Sequence, residues 1–381
     1  FDLSTFGYIY SRLTNPTVAA LEERLASLEG GRGTTCCASG HAAQLLVFFS
    51  LLEPGDAFVA SRKLYGGSIT QFGRSFKKFG WEAIFVDPDD PANFARALTP
   101  NCKAIFTESL ANPGGVVCDI AAISTIAHGA GLPLIVDNTL ATPWLCRPFE
   151  WGADIVVHST TKFLDGHGNA MGGAVVDSGK FDWGQNDKFR VLTQPEPAYH
   201  GLRFYETFGD MALTMHTKAV GLRDLGPALS PMNAFLTLTG IETLPLRMER
   251  HCANALAVAE HLEAHPQVSW VSYAGLPSSK YHALAKKYLP GGAGAVFTFG
   301  VKGGYEAGIK VVEGCELLSH LANIGDTRSL ILHPASTTHR QLTEAQRVAA
   351  GAGPEVVRLS VGLESVDDII ADLDQALRAA G

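Results

Sequence analysis

Two hydrophobic rhythms run along this chain. From about residue 34 to 180, short apolar runs (DAFVAS, EAIFVD, AIFTES, LPLIVDNT, ADIVVHST, GGAVVD) alternate with longer amphipathic stretches such as HAAQLLVFFSLL and IAAISTIAHGAG. Unbroken apolar runs of strand length predict strands buried on both faces, and the longer stretches predict the helices that cover them. Strand–helix alternation of this kind predicts a mostly parallel, doubly covered sheet, with ligands bound at the carboxyl ends of the strands. Ahead of it, NPTVAALEERLASLEGG predicts a helix. Asn15 can cap it, Pro16 suits its first turn, Val18, Leu21, Leu25 and Leu28 share one face, and Gly30 and Gly31 stop it.

The ends of the chain follow neither rhythm as cleanly. FDLSTFGYIYSR shows no regular period and begins without methionine, so residues 1–15 are expected to form an extended arm whose start lies upstream. Past residue 230 a long helical pattern, TLPLRMERHCANALAVAEHLEAHP, leads into GAVFTFGVKGG and EVVRLSVGLE. The link LGPALSPMNAF carries two prolines and a glycine. This predicts a main unit over residues 16–230 and a smaller α+β unit over 231–381.

Composition narrows the classes of function. A hydrophobic content of 46% with 18% charged residues fits a globular α/β chain. A net charge of −8 argues against a nucleic-acid partner. No apolar run reaches the ~20 residues that span a bilayer, and no signal segment is evident, which points to the cytoplasm. Seven irregularly spaced cysteines suit reduced thiols, and no Cys/His spacing resembles a metal site.

The candidate chemistry lies at predicted strand ends. In HSTTKFLDGHG, Lys162 follows Ser159, Thr160 and Thr161. A lysine amine can form a Schiff base with a carbonyl, and hydroxyls beside it can reach a phosphate. Asp137 closes the apolar run LIVD, where an unpaired carboxylate is costly and a pyridinium nitrogen would be a suitable partner. Asp137 and Lys162 are one strand–helix–strand step apart. Ser39 and Gly40 open a predicted helix, a place where free N–H groups bind anions. Tyr65 in KLYGGS could stack on a planar ring, and Asn112 in ESLANPGG stands ready to touch a ligand. Each signal taken singly has a bland reading: a solvated lysine, a structural ion pair, a turn, a core tyrosine. Together they point to an aldehyde cofactor that carries a phosphate.

YSRLTNPT, SGHAAQ, YGGS, ANPGG, VDNTLATP, HSTTKFLDGHG, HPASTTHRQL and VRLSVGLE follow one another here in an order that resembles the Cys/Met-metabolism enzymes that use pyridoxal 5'-phosphate (PLP). The likeness spans essentially the whole chain. It implies the aspartate-aminotransferase-like fold (PLP-dependent transferase fold type I), with a smaller α+β C-terminal domain. It implies that Lys162 holds PLP, that Asp137 pairs with the ring nitrogen, and that Tyr65 stacks on the ring. Gly40, the backbone of His41, Ser159 and Thr161 would bind the phosphate, and Tyr10 and Arg12 would complete that site on a neighbouring subunit of a homotetramer. Arg358 would clamp the substrate carboxylate, helped by Ser329 and Asn112. No metal is implied.

Within the family, Gly168 and Asn169 stand where the lyases and cystathionine synthases usually carry Ser-Asp. QPEPAYHGLRF and ANIGDTRSLILHPASTTHRQL also resemble the O-acetylhomoserine sulfhydrylase branch. The resemblance therefore implies γ-replacement on O-acetylhomoserine by sulfide or methanethiol in methionine biosynthesis. Cystathionine γ-synthase, O-succinylhomoserine sulfhydrylase and γ-lyase chemistry remain open on the same scaffold.

Overall fold

A computed structural model describes residues 7–113, 115–340, 343–349 and 351–381. The first six residues of the expected arm, and Gln341 and Leu342 at the end of HPASTTHRQL, lie outside the described residues.

Fourteen strands are present among the described residues. In chain order they are β1 (Gly33–Cys37), β2 (Ala57–Ser61), β3 (Glu82–Val86), β4 (Cys102–Glu108), β5 (Leu110–Ala111), β6 (Val116–Val117), β7 (Leu134–Asp137), β8 (Ile155–Ser159), β9 (Gly173–Asp177), β10 (Val268–Ser272), β11 (Val296–Val301), β12 (Ser319–His320), β13 (Leu330–Leu332) and β14 (Val356–Ser360). The main sheet has the order β1-β9-β8-β7-β4-β2-β3. Every pairing from β3 across to β8 is parallel, whereas β9 runs antiparallel to both β8 and β1.

Both faces of this sheet are covered. Leu134, Val136 and Val156 enter one apolar cluster, while Ile135, Ile155 and Val157 enter the other. This is the side-to-side alternation of a strand buried on two faces. The helix Gly40–Leu51 lies on the second face, the helix Pro16–Glu29 on the first. Asn15 accepts from the amides of Thr17 and Val18, and Gly30 leaves the helix at φ 75°, as capping chemistry requires.

One expectation needs correction, and one strand has no counterpart among the predicted ones. EAIFVD was expected to be buried on both faces, but β3 is the sheet edge and pairs only with β2, which leaves Glu82 exposed and the next three residues half-covered. β1, GTTCC, has no apolar run to announce it, yet all five residues are buried.

The second sheet, β10-β11-β14-β13-β12, is antiparallel except for β12 with β13. Arg358 sits mid-strand in β14, opposite Thr298 of β11 and Leu332 of β13. The larger apolar cluster runs from Leu21 to Leu377 and takes residues from both sheets, so shared packing joins the two units across the linker. No helix among the described residues is long and apolar enough to cross a membrane.

Candidate active site

The parallel strands β4, β7 and β8 end side by side, and their last residues form one wall. Glu108 of β4 is in register with Asp137 of β7, and Asp137 with Val157 of β8. Asp137 falls on the sheet face covered by the helix Gly40–Leu51, whose Gln44 donates to Asp137 Oδ2 at 3.4 Å. The Thr139 amide donates to Asp137 Oδ1 at 3.0 Å, and Thr139 Oγ1 accepts from the Ser159 amide at 2.8 Å. Thr139 therefore ties the end of β7 to the end of β8.

Burial raises the proton affinity of Asp137, with the amide and hydroxyl of Thr139 and the nearby His158 pulling the other way. Burial also pushes Glu108 well above the usual carboxylate range, and Asp137 beside it adds to the rise. Neither carboxylate is in an ion pair among the described residues. Two adjacent enclosed carboxylates without a partner cation suit a ring that brings a positive charge.

Lys162 follows β8 in a tight turn, its amide on Ser159 O at 3.3 Å and its carbonyl accepting from Gly166 N at 2.7 Å. Its Nζ donates to Asn323 Oδ1 at 2.5 Å. Burial, helped by the charge of Arg358, lowers its pKa to about 8, so roughly a tenth of the amine is the free base at neutrality and about half at pH 8. Gly325 makes this approach possible. Its φ is +75°, and a side chain there would lie 2.8 Å from Phe163 N.

Arg358 is closed in and reaches the same residue from the other side. Nη2 donates to Asn323 O at 3.0 Å and Nη1 to Asn112 Oδ1 at 3.5 Å. Burial brings its pKa down to about 10, and it stays a cation at physiological pH.

The expected phosphate cradle lies at the start of the helix Gly40–Leu51. Ser39 caps the helix by accepting from the Ala42 amide, which leaves the Gly40 and His41 N–H groups outside the helical ladder. A Cβ on Gly40 would stand 2.8 Å from Ser159 Cβ, so only glycine lets the helix start come this close to the end of β8. His41 and Tyr65 are neighbours, their ring centroids 5.8 Å apart, and Tyr65 is 49% exposed, which leaves its ring open to a ligand. Thr161 is placed differently from Ser159: its hydroxyl donates to Gly172 O at 3.2 Å and accepts from Gly172 N at 3.1 Å.

Ser329 is not brought to this wall. Its hydroxyl donates to Glu364 Oε2 at 2.8 Å and accepts from Gly362 N at 2.8 Å, so it has no donor left for a substrate carboxylate. Asn323 stands instead beside Lys162 and Arg358. The stretch ANIGDTRS that contains it resembles the sulfhydrylase branch, but only the folded chain puts Asn323 against the lysine. Gln44, Thr139 and Glu108 were missed for the same reason. So was a fully buried pair behind the wall: His158 Nε2 lies 2.6 Å from Glu29 Oε1, which also accepts from Asn138 Nδ2 at 2.9 Å.

Tyr10 and Arg12 lie apart from all of these residues. Arg12 Nη1 donates to Arg223 O, its guanidinium is 5.5 Å from the Tyr10 ring centroid, and both side chains face solvent. Arg223 in turn lies 5.5 Å from the ring centroid of Tyr199, within QPEPAYHGLRF, so that stretch supports the arm.

The family model of the Cys/Met metabolism PLP-dependent enzymes matches residues 1–378. The chain belongs to this family. It is 50% identical to the O-acetyl-L-homoserine sulfhydrylase of Leptospira meyeri, over 99% of this chain and 87% of the relative. It is 47% identical to the homocysteine synthase of Schizosaccharomyces pombe, over 100% of this chain and 89% of that one. A crystal structure from Campylobacter jejuni, of a protein provisionally assigned as an O-acetylhomoserine (thiol)-lyase, superposes with a TM-score of 0.96 at 42% identity. The match covers 99% of this chain and 90% of that chain, which carries an N'-pyridoxyl-lysine-5'-monophosphate. The family's cofactor and the mostly parallel type I fold are therefore those of this enzyme, and the residues at the wall fit the group.

Proposed function

We infer that this enzyme replaces the γ-acetoxy group of O-acetyl-L-homoserine with sulfide, giving L-homocysteine and acetate, and that methanethiol in place of sulfide gives L-methionine. Relatives at 46–50% identity over nearly the whole chain bear the names O-acetyl-L-homoserine sulfhydrylase and homocysteine synthase. The observation that carries the reading is the shared use of Asn323: Lys162 Nζ meets its side chain and Arg358 its carbonyl. An amino acid held by its carboxylate on Arg358 would have its α-carbon beside the lysine amine.

The chemistry that pyridoxal phosphate supplies when bound is an aldehyde for the amino group and an electron-withdrawing ring. Asp137 would hold a proton on the ring nitrogen. Gly40, the His41 amide and Ser159 would anchor the phosphate, and Tyr65 would cover the ring. Lys162, with its amine free near pH 8, removes the α-proton and returns it. Arg358 and Asn112 fix the carboxylate, which aligns the Cα–H bond for transfer. Tyr65 or Lys162 handles the proton at the departing γ-substituent.

Tyr10 and Arg12 complete the phosphate site of a neighbouring copy, so the working form is at least a site-sharing dimer, and the family resemblance implies a homotetramer built from two such dimers. The seven cysteines are all unpaired, which supports a reducing compartment such as the cytoplasm. A panel of homoserine esters and thiols on the PLP-loaded enzyme tests the reading. O-acetylhomoserine with sulfide should give homocysteine fastest. Faster breakdown of cystathionine or methionine without added thiol would overturn it.

A further inference from the structure

Glu108 is an acidic side chain only 3% exposed, and no step above uses it; burial opposes its ionised form, which two backbone amides favour. A carboxylate buried at the end of a parallel strand is costly unless each oxygen is satisfied. Both are. Glu108 Oε1 accepts from the backbone amide of Tyr65 at 2.7 Å, and Oε2 from the backbone amide of Asn112 at 3.2 Å. These two amides belong to separate segments: Tyr65 opens the short helix Gly66–Thr70 after β2, and Asn112 follows β5 in the turn to β6. The Tyr65 carbonyl accepts from the Ser68 and Ile69 amides at 2.9 and 3.2 Å, but its ring is half-exposed and its amide is held by Glu108. Asn112 in turn accepts from Arg358 through its side-chain oxygen.

We propose that Glu108 is a positioning residue that braces Tyr65 and Asn112 at a fixed separation, one oxygen to each, so that the ring-covering tyrosine and the carboxylate clamp are set together. The proposal rests on the roles given above to Tyr65 and Asn112. A glutamate is needed because two N–H donors converge on it from different loops. A glutamine of the same shape offers one acceptor oxygen and turns an NH₂ donor toward the other amide. An aspartate keeps the charge but is one methylene too short to span both.

The brace is read directly by hydrogen exchange at the Tyr65 and Asn112 amides of the holoenzyme, followed by mass spectrometry of peptides containing each. Both amides should be protected in the unsubstituted enzyme, and at least one should lose protection by ~10-fold or more in Glu108→Gln and in Glu108→Asp. In both variants kcat/KM should fall by ~10–100-fold while the cofactor stays bound, as retention of its visible absorbance reports. Placed on a Tyr65→Ala background, Glu108→Gln should cost much less than it does alone. Wild-type exchange at both amides, full additivity with Tyr65→Ala, or a near-wild-type Glu108→Asp beside a crippled Glu108→Gln would each overturn the brace. The last outcome would mean that charge alone matters. Should Glu108→Gln unfold, exchange and kinetics of Glu108→Asp decide. If Tyr65→Ala and Asn112→Ala prove silent, the site reading fails, whereas the exchange data still judge the brace.

Discussion

Around Lys162 the polar groups are met from inside the chain: Asn323 takes the amine and the Arg358 guanidinium, Thr139 and Gln44 take Asp137, and two amides take Glu108. The N-terminal arm is built otherwise. Tyr10 is 62% exposed, and Arg12 rests on a backbone carbonyl and an aromatic ring without a carboxylate partner among the described residues. The wall is preorganised by its own strands and has little freedom to lose when a ligand arrives, which is how a site holds reacting atoms in line. The arm keeps a bidentate cation in water, where it is available for a phosphate brought by another copy. On the function proposed above, one region carries the chemistry and the other the dependence on assembly.

Three substitutions test this division, in falling order of effect. Lys162→Ala strikes the wall at its centre. It should lower turnover by about 10⁴-fold or more and remove the visible absorbance of the bound cofactor. Retention of that band unchanged would defeat the assignment.

Arg358→Ala should reduce kcat/KM by ~10²–10³-fold, mainly through KM for the amino acid. It also carries a pH signature. The amine of Lys162 reacts with an aldehyde as the free base, so cofactor uptake by the apo-enzyme should accelerate as pH rises through about 8. Arg358 helps depress that pKa by like-charge repulsion, after burial. Its removal should therefore move the uptake profile to higher pH, and a profile that stayed in place would show that the two groups do not interact.

Arg12→Ala should leave the wall intact and weaken cofactor retention by ~10-fold, the effect of losing one charge-assisted contact. The loss should deepen on dilution, measured by cofactor release against protein concentration. An effect independent of dilution would place Arg12 in its own subunit's site.

The wall and the arm also differ in how far they can be read before folding. Lys162, Asp137 and Arg358 stand out because each puts a charge at or within a buried strand, where a charge needs a reason. Asn323, Gln44 and Glu108 act through neighbours more than sixty residues away, or through a backbone amide, and no local period encodes that. Ser329 lies in the recognised stretch, and its hydroxyl is engaged by Glu364 and Gly362, which the sequence does not reveal. Hydropathy similarly predicts that EAIFVD is a strand but not that β3 is the edge. β1 escapes the apolar rule because threonine side chains fill its interior, with Thr35 Oγ1 bonded to Thr217 Oγ1 at 2.7 Å.

The placement of β1 matters during synthesis on the ribosome. Its only partner in the sheet is β9, which begins at Gly173, so β1 is translated long before it can pair. At roughly 5–20 residues per second, the strand waits for about seven to thirty seconds with its edge open. The strand before Lys162, β8, also stays half-paired until that moment, because β9 closes its outer side. The sheet beneath Lys162 is therefore complete only when β9 slots between β1 and β8, and Asn323 and Arg358 reach the lysine later still. A nascent chain halted before Asp177 should engage chaperones through β1 and bind no cofactor.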